Sequence, residues 1–106
     1  MDLELTAHDV KKKIDNQEDF ILLDVRTDRE YHFAHIHGSL HIPLDKLGEG
    51  SLGLEKGKEI ITYCHHGVRS LKAAHILQEH GYEKVKSMSG GIHEWSVSID
   101  PEIPVY

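Results

Sequence analysis

The sequence predicts an α/β fold, a mostly parallel sheet covered on both faces by helices in three layers. Two observations predict it. Two short apolar runs, Phe20 to Val25 (F-I-L-L-D-V) and Glu59 to Cys64 (E-I-I-T-Y-C), have the unbroken hydrophobicity of strands buried on both faces. Segments with helical spacing of apolar residues alternate with such runs, and that alternation places helices against both sides of a parallel sheet. At 106 residues the chain is one domain's length and long enough to bury a real core.

The elements follow in order. Thr6, with Asp9 three residues on, reads as a helix N-cap, and Ala7, Val10 and Ile14 then share one face. Phe20 to Val25 is the first buried strand. Asp28 to Ala34 is predicted as a short helix capped by Asp28. Leu40-His41-Ile42 is a brief strand stopped by Pro43. Gly48, Gly50, Gly53 and Gly57 mark a loop over 48–57, without the G-x-x-x-x-G-K-S/T spacing of a phosphate loop. Glu59 to Cys64 is the second buried strand. A strong helix with Leu71, Ala74 and Leu77 on one face follows, ended by Gly81. Lys84 to Met88 is a further strand, Gly90-Gly91 opens a last helix carrying Ile92 and a core Trp95, and Pro101 and Pro104 predict an extended tail.

Composition excludes several function classes. Hydrophobic residues make up 39% and charged residues 28%, too apolar for a disordered chain. The net charge of −6 and the lack of a basic cluster argue against nucleic acid or an anionic membrane as partner. No apolar run approaches the roughly 20 residues that span a bilayer. The acidic start M-D-L-E-L has no apolar core of a signal peptide. The single cysteine, Cys64, excludes an intrachain disulfide, a C-x-x-C pair and a cysteine zinc knuckle, and reads as cytoplasmic.

Cys64 falls at the C-terminal end of the most apolar strand, where a parallel α/β sheet puts its ligands. The segment Cys64-His65-His66-Gly67-Val68-Arg69-Ser70 joins that strand to a helix. A loop curling at a helix N-terminus points backbone N–H groups inward, and the helix dipole and Arg69 add positive charge. Gly67 permits the tight wrap. Such a cradle favours a sulfur anion and also suits sulfate-like or phosphate-like groups. A lone cysteine at a strand end is ordinarily an inert small hydrophobe. Here the flanking His, Gly and Arg favour a nucleophile instead.

With these motifs in hand the chain resembles a single-domain member of the rhodanese family of sulfurtransferases over nearly its full length. Leu23-Asp24-Val25-Arg26 resembles the family's L-D-V-R. Glu30-Tyr31 with His35-Ile36-His37-Gly38-Ser39, and then Ile42-Pro43, follow in the family's order. Tyr63-Cys64 with Gly67 and Arg69 is similar to the active-site loop, and Gly90-Gly91 with Trp95 to the C-terminal G-G…W. His37 stands where proline is common and His41 where asparagine is common, which bears on local loop geometry.

The resemblance implies one rhodanese-like domain over 1–106, with a mostly parallel sheet of about five strands. It implies that Cys64 takes the outer sulfur of a donor such as thiosulfate as a persulfide and passes it to cyanide or a thiol, with a protein acceptor as another outlet. Cys64 is the catalytic residue of this reading, and His65, His66, Gly67, Val68 and Arg69 are the substrate-binding residues. No cofactor and no metal is needed, and the domain is expected as a monomer. Three rival readings remain. A phosphatase or arsenate reductase on the same scaffold usually has C-x5-R, whereas Arg69 gives C-x4-R. A non-catalytic or protein-fed persulfide relay shares the same cysteine loop. A histidine-rich metal binder would draw on the ten histidines, with His32, His35, His37 and His41 as the cluster to weigh. Of the remaining polar residues, Asp24 and Arg26 are expected to be structural, with Arg26 pairing near Glu30, and His35 to be a satisfied, partly buried histidine.

Overall fold

The structure is a computed structural model and describes residues 3–48 and 52–106. Five parallel strands form one sheet in the order β1-β5-β4-β2-β3. They are β1 (Glu4–Leu5), β2 (Ile21–Asp24), β3 (Leu40–His41), β4 (Ile60–Tyr63) and β5 (Val85–Met88). The helices are α1 (Ala7–Asp15), α2 (Asp28–Phe33), α3 (Val68–Glu79) and α4 (Gly91–Ser98), with one 3-10 turn at Leu44–Lys46. The predicted three-layer α/β class and the two buried strands stand. β1 is the addition. It is two residues long, too short for any period to show, and it forms because β5 offers it an edge, with Glu4 opposite Ser87 and Leu5 opposite Met88.

Alternation along the strands divides the core in two. Leu23, Val25, Ile60 and Cys64 face α3 with Ala73, Ala74 and Leu77. Leu22, Ile61, Tyr63 and Met88 face the other way, against Ala7 and Val10 of α1 and Ile92 and Trp95 of α4. Trp95 is a core residue, as expected. Gly81 ends α3 as predicted, at positive φ, with the Tyr82 N–H on the Leu77 carbonyl and the Gly81 N–H on that of Gln78.

Three local expectations are corrected. α2 is capped by Thr27, not Asp28: the Thr27 side chain accepts the Glu30 N–H while Glu30 returns a bond to the Thr27 N–H. Thr27-Asp28-Arg29-Glu30 satisfies two orphan amides at once, which a lone Asp28 cap does not. The tail is not extended at Pro101, because the Ile103 N–H closes a turn on the Asp100 carbonyl. Arg26 does not pair with Glu30. It is fully buried and clasps Asp24 through Nε and Nη2, with the shortest contact 2.6 Å. The predicted loop over 48–57 lies partly outside the described residues, at 49–51.

β2 and β4 are neighbours, yet the chain leaving β2 runs out to β3 and the chain leaving β4 runs to β5 on the opposite side. The two exits diverge, and a crevice opens between the carboxyl ends of β2 and β4, the position at which ligands enter such sheets.

Candidate active site

The Cys64 side chain is 1% exposed and stands at the end of the central strand β4. Its Sγ accepts the Gly67 N–H at 3.1 Å and the Ser70 N–H at 3.3 Å. Two backbone amides of the loop therefore meet the sulfur. Gly67 makes the wrap possible. Its φ is +105°, and a Cβ there would stand 3.2 Å from the Gly90 nitrogen. The thiol also lies 3.5 Å from Ser70 Oγ, which is 2.8 Å from Ser87 Oγ on β5. The two buried hydroxyls form a rotatable chain beneath the sulfur. Its donors can turn toward Sγ when that atom carries negative charge. Thr62 Oγ1 donates to the Ser70 carbonyl at 2.8 Å and fixes the first turn of α3.

α4 locks the loop from the other side. The Ile92 N–H donates to the Cys64 carbonyl at 2.8 Å and the His93 N–H to that of His65 at 3.1 Å. With those carbonyls held outward, the following amides are free to turn toward the sulfur. Gly91 is what lets α4 approach so closely. A Cβ there would stand 2.3 Å from the His65 carbonyl oxygen and 2.5 Å from that of Cys64.

Arg69 lies at the open side of the crevice in a two-pronged pair with Glu30, at 2.6 and 2.9 Å. The Arg69 guanidinium holds the Glu30 carboxyl well below the usual carboxylate range, against the opposing effect of burial, with Tyr106 and Thr27 adding to the shift. Glu30 in turn raises Arg69. The Tyr106 hydroxyl joins this pair to the buried one: it accepts from Arg26 Nη1 and donates to Glu30 Oε2, both at 2.8 Å. Burial pushes the Tyr106 phenol up to about 12, so it stays protonated as that bridge. The Tyr106 ring is stacked on His65 with centroids 3.9 Å apart and planes 5° apart. Val68 is exposed on the first turn of α3 and His66 is exposed on the loop. Burial, and then the neighbouring His66, lower His65.

The pH dependence of stability should carry the mark of this pair. A carboxyl depressed in the folded state contributes stability that is present above its ordinary value of 4.5 and is lost as pH falls through the depressed one. Denaturant midpoints should thus decline more steeply below about pH 5 for the parent than for Glu30→Gln. Parallel declines would show that Glu30 gains nothing from Arg69 on folding.

The loop thus brings together Cys64, His65, His66, Gly67, Val68 and Arg69 as one feature. Sequence reasoning did not assign Ser70, Ser87, His93, Tyr106 or the Arg69–Glu30 pairing. Ser87, His93 and Tyr106 arrive from distant segments, and only Gly90-Gly91, just ahead of His93, hinted at a close approach. Among the described residues, the histidines of 32–41 bring no three ligand atoms together, although His32, His35 and His41 all contact the Tyr31 ring. His35 and His41 both stack on Tyr31, at 4.0 and 4.4 Å, and bond to the Tyr31 and Arg26 carbonyls. His35 is satisfied, as expected, although exposed rather than partly buried.

Residues 6–98 match the family model described as Rhodanese-like domain. The chain belongs to the rhodanese-like family. Among rhodanese-like relatives, the chain is 37% identical over 93 residues to the putative sulfur carrier protein YrkF of Bacillus subtilis, covering 88% of this chain and 50% of that one. The chain therefore spans half the length of that relative. It is 36% identical over 91 residues to the thiosulfate sulfurtransferase GlpE of Coxiella burnetii, covering 86% of this chain and 81% of that one. A crystal structure of a rhodanese-related protein from Thermoplasma volcanium superposes with a TM-score of 0.81 at 30% identity, over 97% of this chain and 98% of the other. Among the described residues, no helix is long and apolar enough to cross a membrane.

Proposed function

We propose that this chain is a sulfurtransferase that carries sulfane sulfur on Cys64, with thiosulfate or a related anion as donor. The observation that carries the proposal is the pair of amides, Gly67 N–H and Ser70 N–H, directed at Sγ. The naming of relatives as a sulfur carrier and a thiosulfate sulfurtransferase supports the same reading. The Cys64 thiolate attacks the outer sulfur of thiosulfate, the S–S bond of the donor breaks, and sulfite leaves with the electron pair. A new S–S bond holds the transferred sulfur on Cys64. Cyanide or a thiolate then attacks that terminal sulfur and the Cys64 thiolate departs. The loop amides stabilise the anion in both states, as an oxyanion hole does for oxygen. The C-x4-R spacing supports the small sulfur cargo over a phosphoryl group, whose equatorial oxygens need a wider ring of donors.

Intact mass measurement after thiosulfate treatment tests the proposal. One sulfur atom should be gained and then lost to cyanide. A chain that gains no mass from thiosulfate, but does from a persulfidated protein, would instead support the relay reading that the name of YrkF suggests.

Arg69 is proposed to meet the anionic donor from the loop rim with the N–H groups left over from its two bonds to Glu30. Arg69→Ala should raise the thiosulfate KM by about tenfold while leaving transfer from the preformed persulfide within about twofold. An unchanged KM would leave Arg69 as only the loop's tie to α2.

A further inference from the structure

A second chemistry gathers at the rim of the same loop. His65 and His66 follow Cys64 directly, and His93 comes from the first turn of α4. Each offers one ring nitrogen, and the three nitrogens lie within 4.8 Å of one another. Among the described residues, this is the group of three metal-ligating side chains that converges. A second observation points the same way. His65 Nε2 and His93 Nδ1 are buried without any hydrogen-bond partner. Buried polar atoms are ordinarily satisfied, so two unpartnered ring nitrogens in one cluster leave lone pairs available to a ligand.

We propose that His65, His66 and His93 form a site for a borderline divalent transition ion, zinc in the first instance. The ligand set selects the class. Imidazole nitrogens without carboxylates suit zinc, nickel or copper and not magnesium or calcium. Three protein ligands leave one coordination position open to water or an incoming anion. The scaffold is already built. The bonds from Ile92 N–H to Cys64 and from His93 N–H to His65 fix the two segments against each other. Metal–nitrogen bonds of about 2.0–2.1 Å put tetrahedral ligands roughly 3.4 Å apart. The ring centroids of His65 and His93 are 6.3 Å apart and those of His66 and His93 5.0 Å, so the imidazoles have to rotate about their own side-chain bonds to draw the three nitrogens in. The site shares His65 and His66 with the sulfur-carrying loop, but its ligands are imidazoles and its test needs no sulfur donor.

Equilibrium dialysis of the full chain, free of sulfur donor, against zinc alone tests it. One zinc ion should bind per chain. His66→Ala and His93→Ala should each weaken binding at least about tenfold, the loss that removing even an outer-shell partner produces. His66 is exposed, so its variant keeps the fold, which near-ultraviolet circular dichroism verifies. The double variant His32→Ala/His37→Ala, which removes exposed histidines of the other cluster, should bind as the parent does. Absence of zinc binding, equal binding by parent, His66→Ala and His93→Ala, or loss of binding in the His32/His37 variant would each overturn the site. Zinc binding is read without a sulfur donor, and the mass gained from thiosulfate is read on the metal-free parent, so the two readings fail separately.

Discussion

Cys64→Ser should abolish sulfur transfer from thiosulfate, with turnover falling at least about a thousandfold, as loss of a covalent nucleophile does elsewhere. Cys64 is the chain's single cysteine, so no neighbouring thiol can substitute. A serine hydroxyl is scarcely ionised near neutral pH and forms no persulfide. The fold should survive the change. The Gly67 and Ser70 amides that now meet Sγ can donate to a serine oxygen, so the buried hydroxyl is not orphaned. Stability should move by no more than about 1–2 kcal/mol, which a urea titration reads alongside the turnover. A stable Cys64→Ser protein that still produces thiocyanate from thiosulfate and cyanide would defeat the covalent mechanism.

Gly91→Ala should be the most damaging single methyl in the molecule. Its Cβ would arrive 2.3 Å from one backbone oxygen and 2.5 Å from another, neither of which can rotate aside. The residue also sits at φ +62°, where an L side chain is strained. Strain of about 1–3 kcal/mol and a similar cost for overpacking combine to roughly 2–6 kcal/mol. The loss should appear both as a lowered denaturant midpoint and as slower persulfide formation, because α4 must retreat from the Cys64 and His65 carbonyls. A change below about 1 kcal/mol would mean that α4 slides freely over the loop.

What could be read from the chain in advance was what depends on local chemistry. The buried runs at Phe20 and Glu59, the Thr6 cap and the Gly81 stop each act within a few residues, and each appears in the structure. The position of Cys64 at a strand end also follows from local pattern. Asp28 reads as a cap because Asp is a favoured capping residue, and only the reciprocal Glu30 bond gives the position to Thr27. The Arg26–Asp24 and Arg69–Glu30 pairings could not be read, since two arginines and two acids allow more than one matching. The matching was decided by burial, which put Asp24 beside Arg26 with both fully enclosed. Tyr106 had no local signal at all. Its role exists only because the turn at Asp100–Ile103 brings the chain back across the crevice.

The grip of α4 on the cysteine loop has a consequence for how such a domain can change its cargo. Two carbonyls at the start of the loop are tied to consecutive amides of one helix, with no side chain between to absorb a shift. A residue inserted between Cys64 and His65 would therefore not simply widen the ring around the sulfur. It would detach one carbonyl, leave a helix amide without a mate, and oblige α4 and the Trp95 core behind it to be repositioned together. Loop length and helix placement are geared to each other. A lineage or a designer lengthening the loop at that point has to move both in one step, and an insertion there alone should yield misassembled rather than re-specified proteins, whereas one beyond His65 leaves both ties in register.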